Sequence, residues 1–216
     1  FGSHTNSFLV NLLAHPDQRV RLEAQFELAK RNRFDELLAL VTNPEEDRLA
    51  RVHAMWGLGQ IAPDKQRNEH LIKRLPFADN DPEIRAQVAK LAGSRVLKAA
   101  APRLVDLLHD ESARVQFHAA LALGQTGNND TTSHLIALLD RNNDKDAYVR
   151  HAAIMGLAGS AHPEQLTALN AHNTAAVRAA AVATLRRLRH SGVKAFLKDK
   201  NEWVLREAIS AIHDDK

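Results

Sequence analysis

Apolar positions along the chain recur in one pattern. An apolar residue, usually followed by Arg, is succeeded by a small residue four positions on and by Leu or a similar residue eight positions on. The pattern begins at Val20-Arg21 (Ala24, Leu28), Ala50-Arg51 (Ala54, Leu58), Ile84-Arg85 (Val88, Ala92) and Val115-Gln116 (Ala119, Leu123). It continues at Val149-Arg150 (Ala153, Leu157), Val177-Arg178 (Ala181, Leu185) and Val204-Leu205 (Ala208, Ile212). The anchors lie 30, 34, 31, 34, 28 and 27 residues apart. Positions 0, 4 and 8 share one face of an α-helix, so each segment predicts a helix, here termed B, with one buried stripe. The small middle residue lets a neighbouring helix approach closely.

A turn rich in Asp, Asn and Pro precedes most B helices, as at His15-Pro16-Asp17, Asn80-Asp81-Pro82, His109 to Ser112 and Asp144-Lys145-Asp146. Such residues stop one helix and cap the next. Before the turns lie further apolar runs of helical spacing, among them Leu9-Leu12-Leu13, Leu37-Leu38-Val41, Leu104-Leu107-Leu108 and Leu135-Leu138-Leu139. Each repeat therefore reads as helix A, turn, helix B. Neither helix buries its stripe alone, so the pairs must stack. The expected fold is all-α, a right-handed superhelical solenoid of about seven repeats forming one domain over residues 1–216.

Composition agrees. Of 216 residues 44% are hydrophobic and only 5% aromatic, so Ala and Leu fill the core, which suits closely packed helices. The absence of cysteine excludes disulfides, thiolate metal sites and covalent haem attachment within this sequence. No run approaches the roughly 18 apolar residues that span a bilayer. A net charge of +3, from 29 basic and 26 acidic residues, is too small to indicate nucleic acid by itself. The sequence opens on Phe1-Gly2-Ser3-His4 without an initiator Met, and the expectation is a mature or excised piece of something longer.

The spacing and the Asp-x-x-Val-Arg-x-x-Ala-x-x-Ala-Leu-like wording resemble HEAT repeats and the related lyase-type HEAT-like repeats, over nearly the whole chain. Segments such as His53-Ala54-Met55-Trp56-Gly57-Leu58-Gly59 and Phe117-His118-Ala119-Ala120-Leu121-Ala122-Leu123-Gly124 resemble one group in particular. These are exported bacterial proteins in which a propeller precedes the HEAT repeats and a cytochrome c-type domain follows. That resemblance implies a middle module in a periplasmic or exported protein; without it the expectation is cytoplasmic. The chain lacks a Cys-x-x-Cys-His motif, so no redox activity carries over.

HEAT-type solenoids usually place B helices on the concave side, and B positions 2, 3, 6 and 10 point away from the stripe at 0, 4 and 8. Reading those positions selects Phe26, His53, Trp56, Phe117, His118, Leu121, His151 and Met155 as a partner-binding surface, apolar and His-bearing where a solvated face would be charged. The alternative is that these side chains pack between repeats. His53, His118 and His151 come from separate helices without carboxylates in register, so no metal site is read, and no cofactor is expected. The recurring Arg21, Arg51, Arg85, Arg150 and Arg178 read as a structural ladder, pairing with Asp17, Asp81, Asp110 or Asp146 of the turns. Arg186, Arg187, Arg189, Lys194, Lys198 and Lys200 make the last two repeats basic, either a solvated end cap or a phosphate-binding patch. Trp203 and Phe196 fit the core pattern there. No Gly-rich phosphate loop, Gly-x-Ser-x-Gly or His-Glu-x-x-His motif occurs. The expected function is a non-catalytic scaffold, monomeric, that binds a protein partner or a neighbouring domain of its own chain. The alternative is a nucleic-acid-binding HEAT-like protein, DNA glycosylase-like, working through the basic C-terminal repeats.

Overall fold

A computed structural model describes residues 2–127 and 129–213. Among them the regular elements are α-helices and short 3-10 turns, without a strand. The chain divides into two compact units, Phe1–Ala100 and Ala101–Lys216.

In the first unit, α1 (Asn6–Leu12), α3 (Phe34–Thr42) and α5 (Lys65–Arg74) are A helices; α2 (Gln18–Lys30), α4 (Arg48–Gln60) and α6 (Pro82–Ser94) are B helices. In the second, α7 (Ala101–Leu107), α9 (Thr132–Asn142) and α11 (Pro163–Ala168) are A helices, and α8 (Ala113–Thr126), α10 (Ala147–Ser160), α12 (Ala175–Arg187) and α13 (Glu202–His213) are B helices. The shorter periods of 28 and 27 residues leave less chain between successive B helices. Accordingly α11 has six residues, and before α13 a 3-10 turn over Ser191–Phe196 takes the place of an A helix.

The repeat pattern coincides with the core. The middle residues Ala24, Ala54, Val88, Ala119, Ala153, Ala181 and Ala208 are all 0% exposed. Aspartates begin most B helices. Asp17, Asp47, Asp81 and Asp146 accept hydrogen bonds from backbone N–H groups of the following first turn, satisfying donors that the helix leaves open. Gly127, at φ 62°, ends α8 in the left-handed region.

The closest helix contact is between α8 and α10. A Cβ added at Gly124 would stand 2.8 Å from the Gly156 Cα, and one at Gly156 would stand 2.7 Å from the Ala120 carbonyl oxygen. Glycine is required here because one backbone lies against another.

The arginine ladder is present, and for Arg51, Arg150 and Arg178 the acidic partner differs from those the turns suggest. At five of the anchors the residue that follows reaches back to the turn six positions earlier. Arg21 donates to the His15 carbonyl at 2.6 Å, Arg85 to Asp79 at 2.7 Å and Arg178 to His172 at 2.8 Å. Gln116, where Arg is missing, does the same to the Asp110 carbonyl at 2.6 Å. Arg150 pairs instead with the Asp144 carboxylate, also six positions back. Some of these arginines also bind an acid from the next turn: Arg51 pairs with Asp79, and Arg178 holds both oxygens of Asp199 at 2.6 and 2.9 Å. The Arg178 hydrogen bonds hold the Asp199 carboxyl below its ordinary range, against the opposing effect of burial. Asp17, Asp81 and Asp146 are thus helix caps, and the carboxylates that the ladder meets include Asp79, Asp144 and Asp199.

One buried cation falls outside the repeat. Arg95 follows α6, is 7% exposed, and donates to the carbonyls of Leu58 and Ile61 (2.7 Å to the latter) at the end of α4. A cation there complements the partial negative charge of a helix C-terminus. Burial, followed by the nearby Arg67, pushes the Arg95 pKa down, with Asp64 opposing.

Candidate functional site

The B helices position the eight residues selected above, and packing sorts them. Phe26 is 48% exposed, and His151 is also exposed. Trp56, Phe117, His118, Leu121 and Met155 are half-buried. His53 does not point into an open groove; it is 3% exposed. At B position 3 of α4 it faces α2, whose Arg21 and Gln25 cover it.

His53 has a defined chemical state. Its Nε2 accepts from the Arg21 Nε–H at 3.0 Å, and its Nδ1 lies 2.8 Å from the Gln25 Oε1. Arginine carries no acceptor, so Nε2 must be unprotonated and Nδ1–H must donate to Gln25. The imidazole is therefore neutral. Desolvation lowers its pKa, and the Arg21 charge lowers it further.

This has a consequence for stability. The unfolded chain takes up a proton near the ordinary value of 6.5, whereas the folded chain does so only at lower pH. Between these values the unfolded state binds more protons, so stability is full above about pH 6.5 and falls as the pH drops through the folded pKa. Thermal melts from about pH 7.5 to 5 should show a loss of midpoint in the wild type that is smaller in His53→Gln. Parallel profiles for the two proteins would refute the linkage.

Trp56 continues this arrangement toward α6. Its ring meets His53 edge-on at a centroid distance of 4.9 Å, and its Nε1–H donates to the Gln87 Oε1 at 2.9 Å. Gln87 in turn donates to the Glu83 carboxylate at 2.7 Å. The polar edge of the indole is thus satisfied while part of its apolar face borders a pocket of about 180 Å³ with Met55, Gly59, Lys90 and Leu91.

In the second unit, Leu121 and Met155 occupy position 6 of α8 and α10 and converge on one pocket of about 290 Å³, with Gly124, Gly159 and Arg187 at its edge. Phe117 and His118 stack edge-on, 5.1 Å between centroids. A further pocket of about 350 Å³ lies between α10, α12 and α13, where Trp203, Glu207, Asp144 and Arg150 meet over alanines. Trp203 is 37% exposed, so it is not the core residue that its place in the pattern suggests. The spacing of Trp203 and Glu207, four residues apart on one helix, was the signal available in the sequence.

Among the described residues no group of three or more His, Asp or Glu side chains is arranged to hold a metal ion. No helix is long and apolar enough to cross a membrane.

Residues 68–158 match the family described as HEAT repeats. No curated protein sequence matches the chain. Among solved structures, Escherichia coli YibA is similar at a TM-score of 0.60 and 21% identity, covering 97% of this chain and 81% of that one. The complex of CpcE and CpcF of phycocyanin lyase from Nostoc sp. PCC7120 gives a TM-score of 0.54 at 20% identity, over 99% of this chain and 89% of its own. An engineered protein gives 0.52 at 20% identity, over 97% and 96%. At these identities the likeness is one of fold. Residues 68–158 thus match HEAT repeats, and helix pairs of the same kind lie before and after them in the sequence, so the chain has an all-α helical-repeat fold.

Proposed function

We propose that the B-helix face of each unit is a docking surface for a protein segment, supplied by a partner or by a neighbouring domain of the same polypeptide. The reading assigns binding and no catalytic step. The observation that carries it is the retention of large apolar side chains at position 6 of α4, α8 and α10, where Trp56, Leu121 and Met155 each border an open pocket. A merely solvated helix face has no use for apolar groups at these positions, and large apolar and aromatic anchors in pockets are what interface cores employ. Helical-repeat folds offer such extended surfaces generally. Phe26, Phe117, His118 and His151 belong to the proposed surface; His53 supports it from beneath by fixing Trp56.

The test is a peptide-display selection against the whole chain, followed by binding to Leu121→Glu/Met155→Glu. Both side chains are half-exposed, so the double variant should stay folded. The expected loss in affinity is about 100-fold, corresponding to about 1.4 kcal/mol per tenfold step for each of two anchors. Unchanged affinity in a folded double variant would end this reading. Salt separates it from nucleic-acid binding through Arg186, Arg187 and the neighbouring lysines. Phosphate contacts weaken steeply with ionic strength, whereas apolar docking changes little.

A further inference from the structure

The pocket between α10, α12 and α13 differs chemically from the other two on the B-helix face. Those are bordered by no carboxylate and each has a basic residue at the edge, Lys90 in one and Arg187 in the other. This one, of about 350 Å³, is bordered by two carboxylates, Asp144 and Glu207, and by a single guanidinium, Arg150. Arg150 is committed to Asp144. Glu207 is half-buried and makes no ion pair among the described residues. The pocket therefore carries one uncompensated negative charge. One helical turn before Glu207, Trp203 leaves its indole 37% exposed beside that carboxylate. The floor is Ala179, Ala180 and Ala183 of α12, whose small side chains leave the volume open.

An anion entering here would meet two carboxylates. A purely apolar group would strip water from Glu207 and return nothing for it. A cation satisfies both walls at once. Its N–H groups form charge-assisted hydrogen bonds to the carboxylate, and indole is the aromatic face that attracts cations most strongly. The volume is at the small end of the range for ligand pockets, about 300–1,000 Å³, and suits one side-chain head rather than a large molecule.

We infer that this pocket receives the guanidinium or ammonium head of an arginine or lysine side chain carried by the docked protein segment. The inference rests on the docking reading above and gives it a register. The Leu121–Met155 pocket lies at the junction one repeat away in the same unit, sharing α10 and α12. Packed helices are about 8–10 Å apart, and an extended chain covers about 3.3 Å per residue. The segment thus places its basic residue about three positions from the apolar residue that enters the Leu121–Met155 pocket.

The experiment uses the tetrapeptide N-acetyl-Leu-Ser-Gly-Arg-amide, its reversed sequence and, for each, a form with citrulline for arginine. Citrulline keeps the shape and removes the charge. The chain has two tryptophans, so Trp56→Phe isolates the Trp203 emission as a readout, with calorimetry on the unmodified protein beside it. One of the arginine peptides is expected to quench Trp203 saturably. Citrulline, or Glu207→Gln in the protein, is expected to weaken binding at least about tenfold, the loss of one charge-assisted contact. Lysine in place of arginine should retain most of the affinity. Equal binding of the citrulline peptide overturns the inference without any change to the protein. Arginine amide alone binding as tightly as the tetrapeptide also overturns it, in favour of a small-molecule amine site. If the tetrapeptides fail while display-selected peptides bind through Leu121 and Met155 without a basic residue, this inference falls and the docking surface stands. Failure of every segment to bind this face removes both.

Discussion

Asp79→Ala is expected to destabilise the first unit by about 3–5 kcal/mol, the usual cost of leaving one member of a buried ion pair uncompensated. The side chains of Arg51 and Asp79 are only 5% and 9% exposed. Arg51 also donates to the Val41 carbonyl from Nε at 3.1 Å and Nη2 at 3.0 Å, so it joins the end of α3 to the turn before α6. Asp79 does more than neutralise it: its Oδ1 accepts from the Asp81 N–H at 2.9 Å, and its carbonyl accepts from Arg85 at 2.7 Å. Removing the carboxylate leaves the Arg51 guanidinium with the Val41 carbonyl and no counter-charge at a largely buried position. Asp79→Asn should cost less, since the amide oxygen still accepts one hydrogen bond. Urea denaturation of the three proteins checks this. Equal stability of Asp79→Ala and wild type would mean that water reaches Arg51 freely. The exposed pair of Arg206 and Glu202, with side chains 75% and 76% exposed, is the natural control and should contribute almost nothing.

The second large effect concerns two glycines at the same helix position, nine residues after their anchors. A Cβ at Gly124 would meet the backbone of α10, 2.8 Å from the Gly156 Cα and 3.0 Å from the Gly156 and Met155 carbonyl oxygens. A Cβ at Gly59 would meet only the Leu91 Cδ1, at an ordinary 3.6 Å. Gly124→Ala should therefore destabilise by about 1–3 kcal/mol despite the better helix propensity of alanine, because a whole helix must shift to admit it. Gly59→Ala should be neutral or stabilising by about 0.4–1 kcal/mol, through the reduced freedom of the unfolded chain. For a chain of this size each kcal/mol moves the melting temperature by about 2–4 °C, so the pair should separate clearly in a thermal melt. Similar behaviour of the two variants would contradict the tight α8–α10 contact.

These two glycines also mark where sequence reasoning stops. Both stand at the same place in the anchor pattern, yet only one touches a neighbouring backbone. The same holds at B position 3. His53 and Gln87 are buried there, at 3% and 4%, while His118 in the equivalent place is half-exposed. Helix periodicity fixes the direction of a side chain relative to its own helix axis. It does not fix how closely the adjacent helix crosses or which side chain that helix brings. Arg21 and Gln25 lie over His53 because of what α2 carries. Trp203 escaped the core for a related reason: it precedes its anchor, at the first turn of α13, and its ring emerges over the alanines of α12 instead of beneath them.

The sequence by itself determined the repeat, the A and B helices, the buried stripe at positions 0, 4 and 8, and the Asp caps. Each follows from interactions local to one helix or one turn. It also pointed to a structural arginine ladder, since Arg directly follows most of the anchors, close to a polar turn. Only the tertiary structure decided which carboxylates the ladder meets, that His53 is a neutral buried hydrogen-bond partner, and that an acidic, indole-walled pocket lies among repeats whose composition is basic. Those depend on distances between residues roughly one repeat apart in the chain, which the packing of helix against helix sets and no local pattern encodes.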